Sequence, residues 1–169
     1  MRHKPATLLL AILLFLPLPG IIPPTSAATP EQAATAGGVE QGIFSRINRV
    51  RQNKGLPPLE QDDRLQDLAR AQSRDMAENH YLGHVDSRKR GLKERVKDAR
   101  LSGWKVIGEN VARTYGYRQV DGTMVREWLE SRPHRANILN GRFRFTGVGV
   151  VRRADGSYYA SQIFMGPGK

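Results

Sequence analysis

The chain has 169 residues, a length that suits one folded domain and excludes two large packed domains. It carries 27 Lys and Arg, 16 Asp and Glu and no cysteine, with a formal net charge of +11. A disulfide framework is therefore excluded, so the fold depends on its core or on bound ligands, and the positive charge favours anionic partners.

The amino terminus has the order of a secretory signal peptide over residues 1–28. Arg2 and Lys4 precede an apolar run, and small residues close the segment at Ala27 and Ala28. The unbroken apolar part, residues 6–16, is short for a membrane-crossing helix, although a retained anchor is the alternative. We expect cleavage after Ala27 or Ala28, secretion to the extracellular or periplasmic space, and no integral membrane segment after cleavage.

Residues 29–42 are rich in Ala, Gln, Gly and Thr, and they predict a flexible linker before a domain over residues 43–169. Without Arg2 and Lys4 the chain keeps 25 basic against 16 acidic residues. We expect an anionic envelope or wall component, a lipid or a protein as the partner. Nucleic acid is not expected, because export separates the protein from it and the arginines lack an aromatic platform.

Hydrophobic spacing predicts two helices at the start of the domain. Ile43, Ile47 and Val50 recur at helical spacing, and Gly55 follows as a carboxyl-terminal cap. A second helix begins at Asp62 or Asp63 and runs to about residue 80. One face of it collects the residues expected in the core, namely Leu65, Leu68, Ala69, Gln72 and Met76.

Shorter elements are predicted in the second half. They are a charged helix over residues 92–99, an extended segment over 105–113, a helix over 124–129, a helical turn from Ser131 and Pro133, and strands over 147–151 and 158–164. A tight turn at Asp155 and Gly156 joins the last two strands. Because helices come first and strands last, an antiparallel sheet covered by helices is expected.

Three histidines follow the signal segment, and two of them form an H-x-x-x-H string. His80 and His84 have the spacing of a zinc-protease helix, but Tyr81 stands where the general-base Glu belongs and Gly83 weakens the helix. His80 is better explained as a residue at the negative end of a helix. His84 is expected in a loop.

His84, Glu109 and His134 are distant in sequence, but each lies at a junction between predicted elements. Junctions are where a rigid scaffold presents functional side chains, so the three residues form a candidate joint site. The plain alternatives are a hydrogen-bonding histidine near a helix start and a capping glutamate.

Several ordered motifs extend over residues 44–164. They include Gly83-His84-Val85-Asp86, Gly108-Glu109-Asn110-Val111-Ala112, the run from Trp128 through Ser131 and His134 to Leu139, and Gly147-Val148-Gly149 followed by Tyr159-x-x-Gln162-x-Phe164. In this order they resemble the CAP domain of cysteine-rich secretory and plant pathogenesis-related proteins. The absence of cysteine resembles the bacterial branch of that family.

The resemblance implies an α+β fold, a three-layer α-β-α sandwich with a central antiparallel sheet. It also implies an open cleft with two histidines and two acidic residues, which hold a divalent metal such as zinc in several members. His84, Glu109 and His134 match three of these positions. Ser131 stands at the fourth, and Glu127, one helical turn earlier, is the alternative fourth ligand.

Two functional classes follow from this cleft, and whether the protein is an enzyme stays open. One is a binding module for an envelope lipid, glycan or protein, with or without a divalent metal. The other is a metal-assisted peptidase or cell-wall hydrolase in which Glu109 acts on a water held between His84 and His134. Ser131 is expected to cap a turn, since no G-x-S-x-G sequence surrounds it.

Overall fold

The computed structural model describes residues 34–168, and this part of the chain contains five helices and four strands. In chain order they are α1 (Ala36–Asn53), β1 (Glu60–Gln61), α2 (Asp63–Glu78), α3 (Leu92–Asp98), β2 (Trp104–Thr114), α4 (Val120–Glu130), α5 (Arg132–Ile138), β3 (Phe145–Arg152) and β4 (Tyr158–Pro167). The signal peptide predicted over residues 1–28 lies outside the described residues. None of the helices from residue 34 to 168 has the length and apolar character needed to span a membrane.

Helix α1 begins at Ala36, so the linker predicted over residues 29–42 is wrong from residue 36 onward. Thr35 caps the helix by accepting a hydrogen bond from the Gly38 N–H. Glu40 then anchors the first turns, because its buried carboxylate accepts hydrogen bonds from the Arg70 guanidinium and from the Val150 backbone N–H. Val39, four residues before Ile43, is also buried, so the helical spacing of apolar residues continues into this turn although the sequence analysis began it at Ile43.

Helix α2 has the predicted cap and the predicted buried face, except that Leu68 is only partly buried. Asp62 is its N-cap and accepts hydrogen bonds from the backbone N–H groups of Arg64 and Leu65. The Arg64 guanidinium also donates to this carboxylate, and that bond holds the pKa of Asp62 below its ordinary value. The Leu65 N–H adds to the lowering, which outweighs the opposite effect of burial on the pKa.

Replacing Asp62 with alanine is expected to cost about 1 kcal/mol of unfolding free energy at neutral pH, because a capping hydrogen-bond acceptor is lost. A carboxyl whose pKa is lowered on folding stabilises the protein above its ordinary pKa, and this contribution is lost as the pH falls. The cost should therefore shrink below about pH 4. Urea unfolding at neutral pH and below about pH 4 measures this cost, and substitution of the exposed Asp63 with alanine is the control. An equal cost of Asp62→Ala at the two pH values contradicts the expectation.

The four strands form one sheet in the order β1-β3-β4-β2. The β3–β4 and β4–β2 pairs are antiparallel, as predicted. β1 adds a short parallel pair to β3, with Glu60 opposite Phe145 and Gln61 opposite Thr146. The sequence analysis did not predict β1, and the sheet expected to be wholly antiparallel is therefore mixed at one edge.

Helices cover both faces of the sheet, so the predicted three-layer α-β-α sandwich is confirmed. Along β4, Ala160 and Phe164 pack into a core with residues of α1, α4 and α5. Ile163 and Met165 point to the other face and pack with Leu65 of α2 and with residues of α3. This alternation is what a strand buried on both faces requires.

Two glycines of β3 let α2 lie directly on the sheet. A Cβ atom at Gly147 would overlap the backbone at Leu65 and Gln66, and one at Gly149 would overlap the backbone at Ala69 and Arg70. The two sites are one helical turn apart on α2. Glycine is therefore required here by the close approach of two backbones.

A buried arginine connects α1 with the loop that follows α5. The Arg51 side chain is fully buried and its guanidinium donates hydrogen bonds to four backbone carbonyl groups, those of Pro57, Ile138, Asn140 and Phe143. The charge is thus solvated by the main chain instead of by water.

Candidate functional site

The candidate site lies along β2, which is an edge strand of the sheet. Its outward backbone carbonyls are bound by side chains of the neighbouring helices. Trp128 of α4 donates its Nε1–H to the Val111 carbonyl at 2.9 Å, and Asn137 of α5 donates its Nδ2–H to the Glu109 carbonyl at 3.1 Å. These contacts cover the open edge and fix α5 beside Glu109.

Glu109 is the centre of a buried polar cluster. Only 2% of its side chain is exposed. Its Oε1 accepts a hydrogen bond from the Ser161 Oγ at 2.9 Å, and His84 Nδ1 lies 3.0 Å from its Oε2. The Arg95 Nη2 lies 3.0 Å from both oxygens. Every oxygen of this carboxylate therefore has a partner, as a buried charge requires.

The structure brings the three predicted residues together. His84 follows α2 in a loop, as expected, and its ring centroid lies 6.4 Å from that of His134 with the ring planes at 56°. His134 lies in the first turn of α5, where its backbone carbonyl accepts a hydrogen bond from Asn110 Nδ2. Burial lowers the pKa of His134, and the neighbouring His84 lowers it further, which favours a neutral ring.

Arg95 is the member of the cluster that the sequence analysis missed. It lies on α3, where only 5% of its side chain is exposed, and its Nη2 also donates to the His84 carbonyl. One signal was available, since Arg95 shares a helix face with Leu92 and Val96. An arginine on an apolar helix face needs a buried acidic or carbonyl partner.

Neither proposed fourth ligand joins the cluster. The Glu127 side chain is exposed on α4, and Ser131 is the N-cap position of α5 but its side chain makes no capping hydrogen bond. Among the described residues, no hydrogen bond or ion pair connects either side chain with His84, Glu109 or His134. The expectation that Ser131 caps the turn is thus correct in position only.

The H-x-x-x-H string does not form a two-histidine helix face. Helix α2 ends at Glu78, and His80 follows it with a positive φ of 56°. The His80 Nε2 lies 3.3 Å from Arg153 Nη1, whereas His84 contacts Glu109. His80 is thus not part of the cleft cluster.

The donor set, as arranged, does not fit the predicted zinc site. Zinc sites in proteins use three or four side-chain ligands, and Glu109 has both oxygens engaged by Arg95, Ser161 and His84. Only the imidazoles of His84 and His134 then remain as candidate zinc ligands among the three predicted residues. From residue 34 to 168 there is no group of three or more His, Asp or Glu side chains placed to hold a metal ion. Zinc binding therefore stays a prediction from the sequence.

The loop around His84 carries exposed apolar side chains. Leu82 and Val85 are 53% and 51% exposed, and the His84 side chain between them is 53% exposed. The loop itself is held in place, because Gln72 of α2 donates a hydrogen bond to the Gly83 carbonyl at 2.9 Å. A ligand that contacts this loop would meet two apolar side chains and one imidazole.

Residues 44–164 match the family model described as CAP, the cysteine-rich secretory protein family. The chain belongs to this family. Two curated relatives of the CAP domain come from Bacillus subtilis (strain 168). YkwD is 33% identical over 135 residues, and the membrane protein YlbC is 36% identical over 115 residues. These matches cover 80% and 68% of the chain but 50% and 32% of the relatives, so the chain spans half or less of their length.

Solved structures share the CAP fold. An extracellular protein with an SCP domain from Bacillus anthracis str. Ames matches with a TM-score of 0.69 and 30% identity, over 81% of this chain and 43% of that one. An outer surface protein from Borrelia burgdorferi matches with a TM-score of 0.70 and 18% identity, over 79% of this chain and 96% of that one. The second likeness shows the fold alone.

Proposed function

We propose that this CAP protein is an extracellular binding module that holds a lipid, glycan or protein component of the cell envelope in the cleft beside β2. The observation that carries the proposal is the exposed His84 ring between Leu82 and Val85, above a Glu109 whose oxygens are all engaged. Such a surface offers contact area and hydrogen bonds to a ligand, while its carboxylate has no free lone pair to activate water.

Two observations support an extracellular site of action. The first residues have the order of a signal peptide, and the relative from Bacillus anthracis, at 30% identity, is an extracellular protein. The chain without Arg2 and Lys4 keeps 25 basic against 16 acidic residues, which draws it to anionic wall polymers and lipid head groups. This attraction brings the cleft close to envelope ligands.

One contact supports the hydrolase alternative. A carboxylate that accepts from His84 Nδ1 orients the ring, so His84 would be the general base instead of Glu109. The Ser161 hydroxyl group does not form a nucleophile–base pair with His84, because Ser161 is buried and donates its hydrogen bond to Glu109. The binding role is therefore the better supported of the two.

The binding role predicts retention on envelope material that depends on the cleft. Purified protein should bind a wall, lipid or lipopolysaccharide fraction at about 0.5 M salt, where exposed charges are screened. His84→Ala should weaken that binding about tenfold, because a central contact is lost. The matched control is His80→Ala, which changes a histidine outside the cleft and should leave retention unchanged.

Two outcomes contradict the proposal. The first is equal retention of the native protein and His84→Ala at high salt, since binding would then not involve the cleft. The second is release of soluble product from peptidoglycan or casein that Glu109→Gln abolishes, which favours the hydrolase.

A further inference from the structure

We propose that this cleft works without a metal ion, because Arg95 supplies at Glu109 the positive charge that a divalent cation would otherwise bring. The guanidinium Nη2 lies 3.0 Å from each carboxylate oxygen. Both side chains are almost completely buried, with 5% and 2% exposed. The pair is thus a desolvated internal ion pair.

Within the part of the chain that the structure describes, Arg95 makes all its hydrogen bonds through Nη2, while its buried Nε and Nη1 have no hydrogen-bond partner. The same Nη2 donates to the His84 carbonyl at 3.2 Å, which ties α3 to the loop that carries the ring. Arginine keeps its charge at any pH that the folded protein meets. A divalent cation at Glu109 would have to share the carboxylate with this guanidinium, and the two like charges would repel each other inside the protein.

The ion pair also determines what His84 presents to a ligand. His84 Nδ1 lies 3.0 Å from Glu109 Oε2, and because this carboxylate oxygen is the acceptor of the hydrogen bond, Nδ1 is the ring nitrogen that donates its N–H. The other nitrogen, Nε2, then has a free lone pair in the neutral ring and accepts a hydrogen bond. A sugar hydroxyl or an amide N–H meets that requirement, and a fully ionised phosphate or carboxylate does not.

This assignment of ligand chemistry rests on the proposed binding function, whereas the exclusion of the metal does not. Among envelope components it favours a glycan, whose neighbouring hydroxyl groups both donate and accept, over an anionic head group. The basic surface and the cleft then have separate tasks. The surface attracts the anionic envelope, and the cleft selects hydroxyl-bearing groups at His84.

Zinc calorimetry tests the exclusion of the metal. The native protein and the double variant His84→Ala, His134→Ala should release the same small heat on titration with zinc. Arg95→Met frees Glu109 and should bind zinc at least about tenfold more tightly than the native protein, and adding His134→Ala should remove that gain. Ser161→Ala is the matched control, since it removes one hydrogen bond to Glu109 and leaves the guanidinium; it should bind zinc no better than the native protein.

A comparison of the native protein with the double histidine variant can overturn the exclusion without Arg95→Met. Stoichiometric zinc binding that disappears in the double histidine variant would show that Arg95 does not keep the metal out. A folded Arg95→Met protein without any gain in zinc affinity would equally contradict the assigned role. If Arg95→Met does not fold, the comparison of the native protein with the histidine variant still decides.

Nitrogen-15 NMR of the imidazoles tests the hydrogen-bond step. The neutral His84 ring should show the Nδ1–H tautomer in the native protein and in Arg95→Lys, which conserves the charge. The Nε2–H tautomer in the native protein overturns the step.

A second experiment tests the glycan assignment by measuring retention of the protein on a wall fraction in the presence of a chelator. Retention should persist, and its loss with the chelator contradicts a metal-free cleft. Absence of retention without chelator rejects the binding function but leaves the zinc and NMR results standing.

Discussion

Gly149→Ala is expected to prevent the protein from folding, or to cost more than about 4 kcal/mol of unfolding free energy. The added Cβ atom would overlap the backbone at Ala69 and Arg70. A flexible side chain can turn away from such an overlap, but a helix backbone can only move as a whole. Relief therefore requires α2 to separate from β3, which opens the core around Leu65 and Ile163.

Urea unfolding followed by circular dichroism measures this effect, with Gly37→Ala as the control. Gly37 lies in the first turn of α1, where an added Cβ meets nothing within 4 Å. The control should be as stable as the native protein or up to about 0.5 kcal/mol more stable, because alanine favours the helix. A folded Gly149→Ala protein within about 1 kcal/mol of the native protein would show that the helix and strand are not in direct backbone contact.

Arg51→Met should lower the unfolding free energy by about 4 kcal/mol, because four carbonyl groups, two of them in buried hydrogen bonds, lose a charged donor together. Methionine fills much of the space but satisfies none of these acceptors. The cost is therefore that of unpaired main-chain oxygens, in addition to any change in packing.

Chemical denaturation compares this variant with Arg49→Met, which changes an exposed arginine of the same helix. The control should stay within about 0.5 kcal/mol of the native protein. A similar small cost for Arg51→Met would mean that the carbonyls of residues 138–143 find other donors, and that the arginine does not hold this loop.

The sequence predicted the elements whose signals are local. Asp62 caps α2 as expected, Gly55 follows α1 in a left-handed conformation, and the hairpin of β3 and β4 turns at residues 155 and 156. In each case a residue type determines the backbone near itself. The spacing of apolar residues likewise predicted which helix faces are buried.

What the sequence did not predict depends on distant partners. β1 has two residues, and it is a strand only because Phe145 and Thr146 pair with it. Glu40 anchors the first turns of α1 through Arg70 of α2 and Val150 of β3, and these partners cannot be identified from the neighbouring residues. The Thr35 cap and the buried Val39 were local signals of the same start that the prediction did not use.

Three residues of the candidate site were predicted, and the fourth was missed because only its distant contacts identify it. The motifs selected His84, Glu109 and His134, and the fold gathers them at the edge strand. The residue that decides the chemistry of Glu109 is Arg95, which follows His84 by eleven positions in a charged helix. In the linear sequence it resembles the other charged residues of α3, and only burial distinguishes it.

The Arg51 clamp joins segments about 90 residues apart without any covalent bond. A disulfide restrains the chain both before and after folding, whereas this clamp exists only once the native loops have met. The denatured polypeptide is accordingly free of cross-links, and it cannot be trapped by mispaired thiols. Because no disulfide contributes to the fold, thiol reductants leave its stability unchanged, and the same contacts hold the protein in a reducing and in a non-reducing compartment.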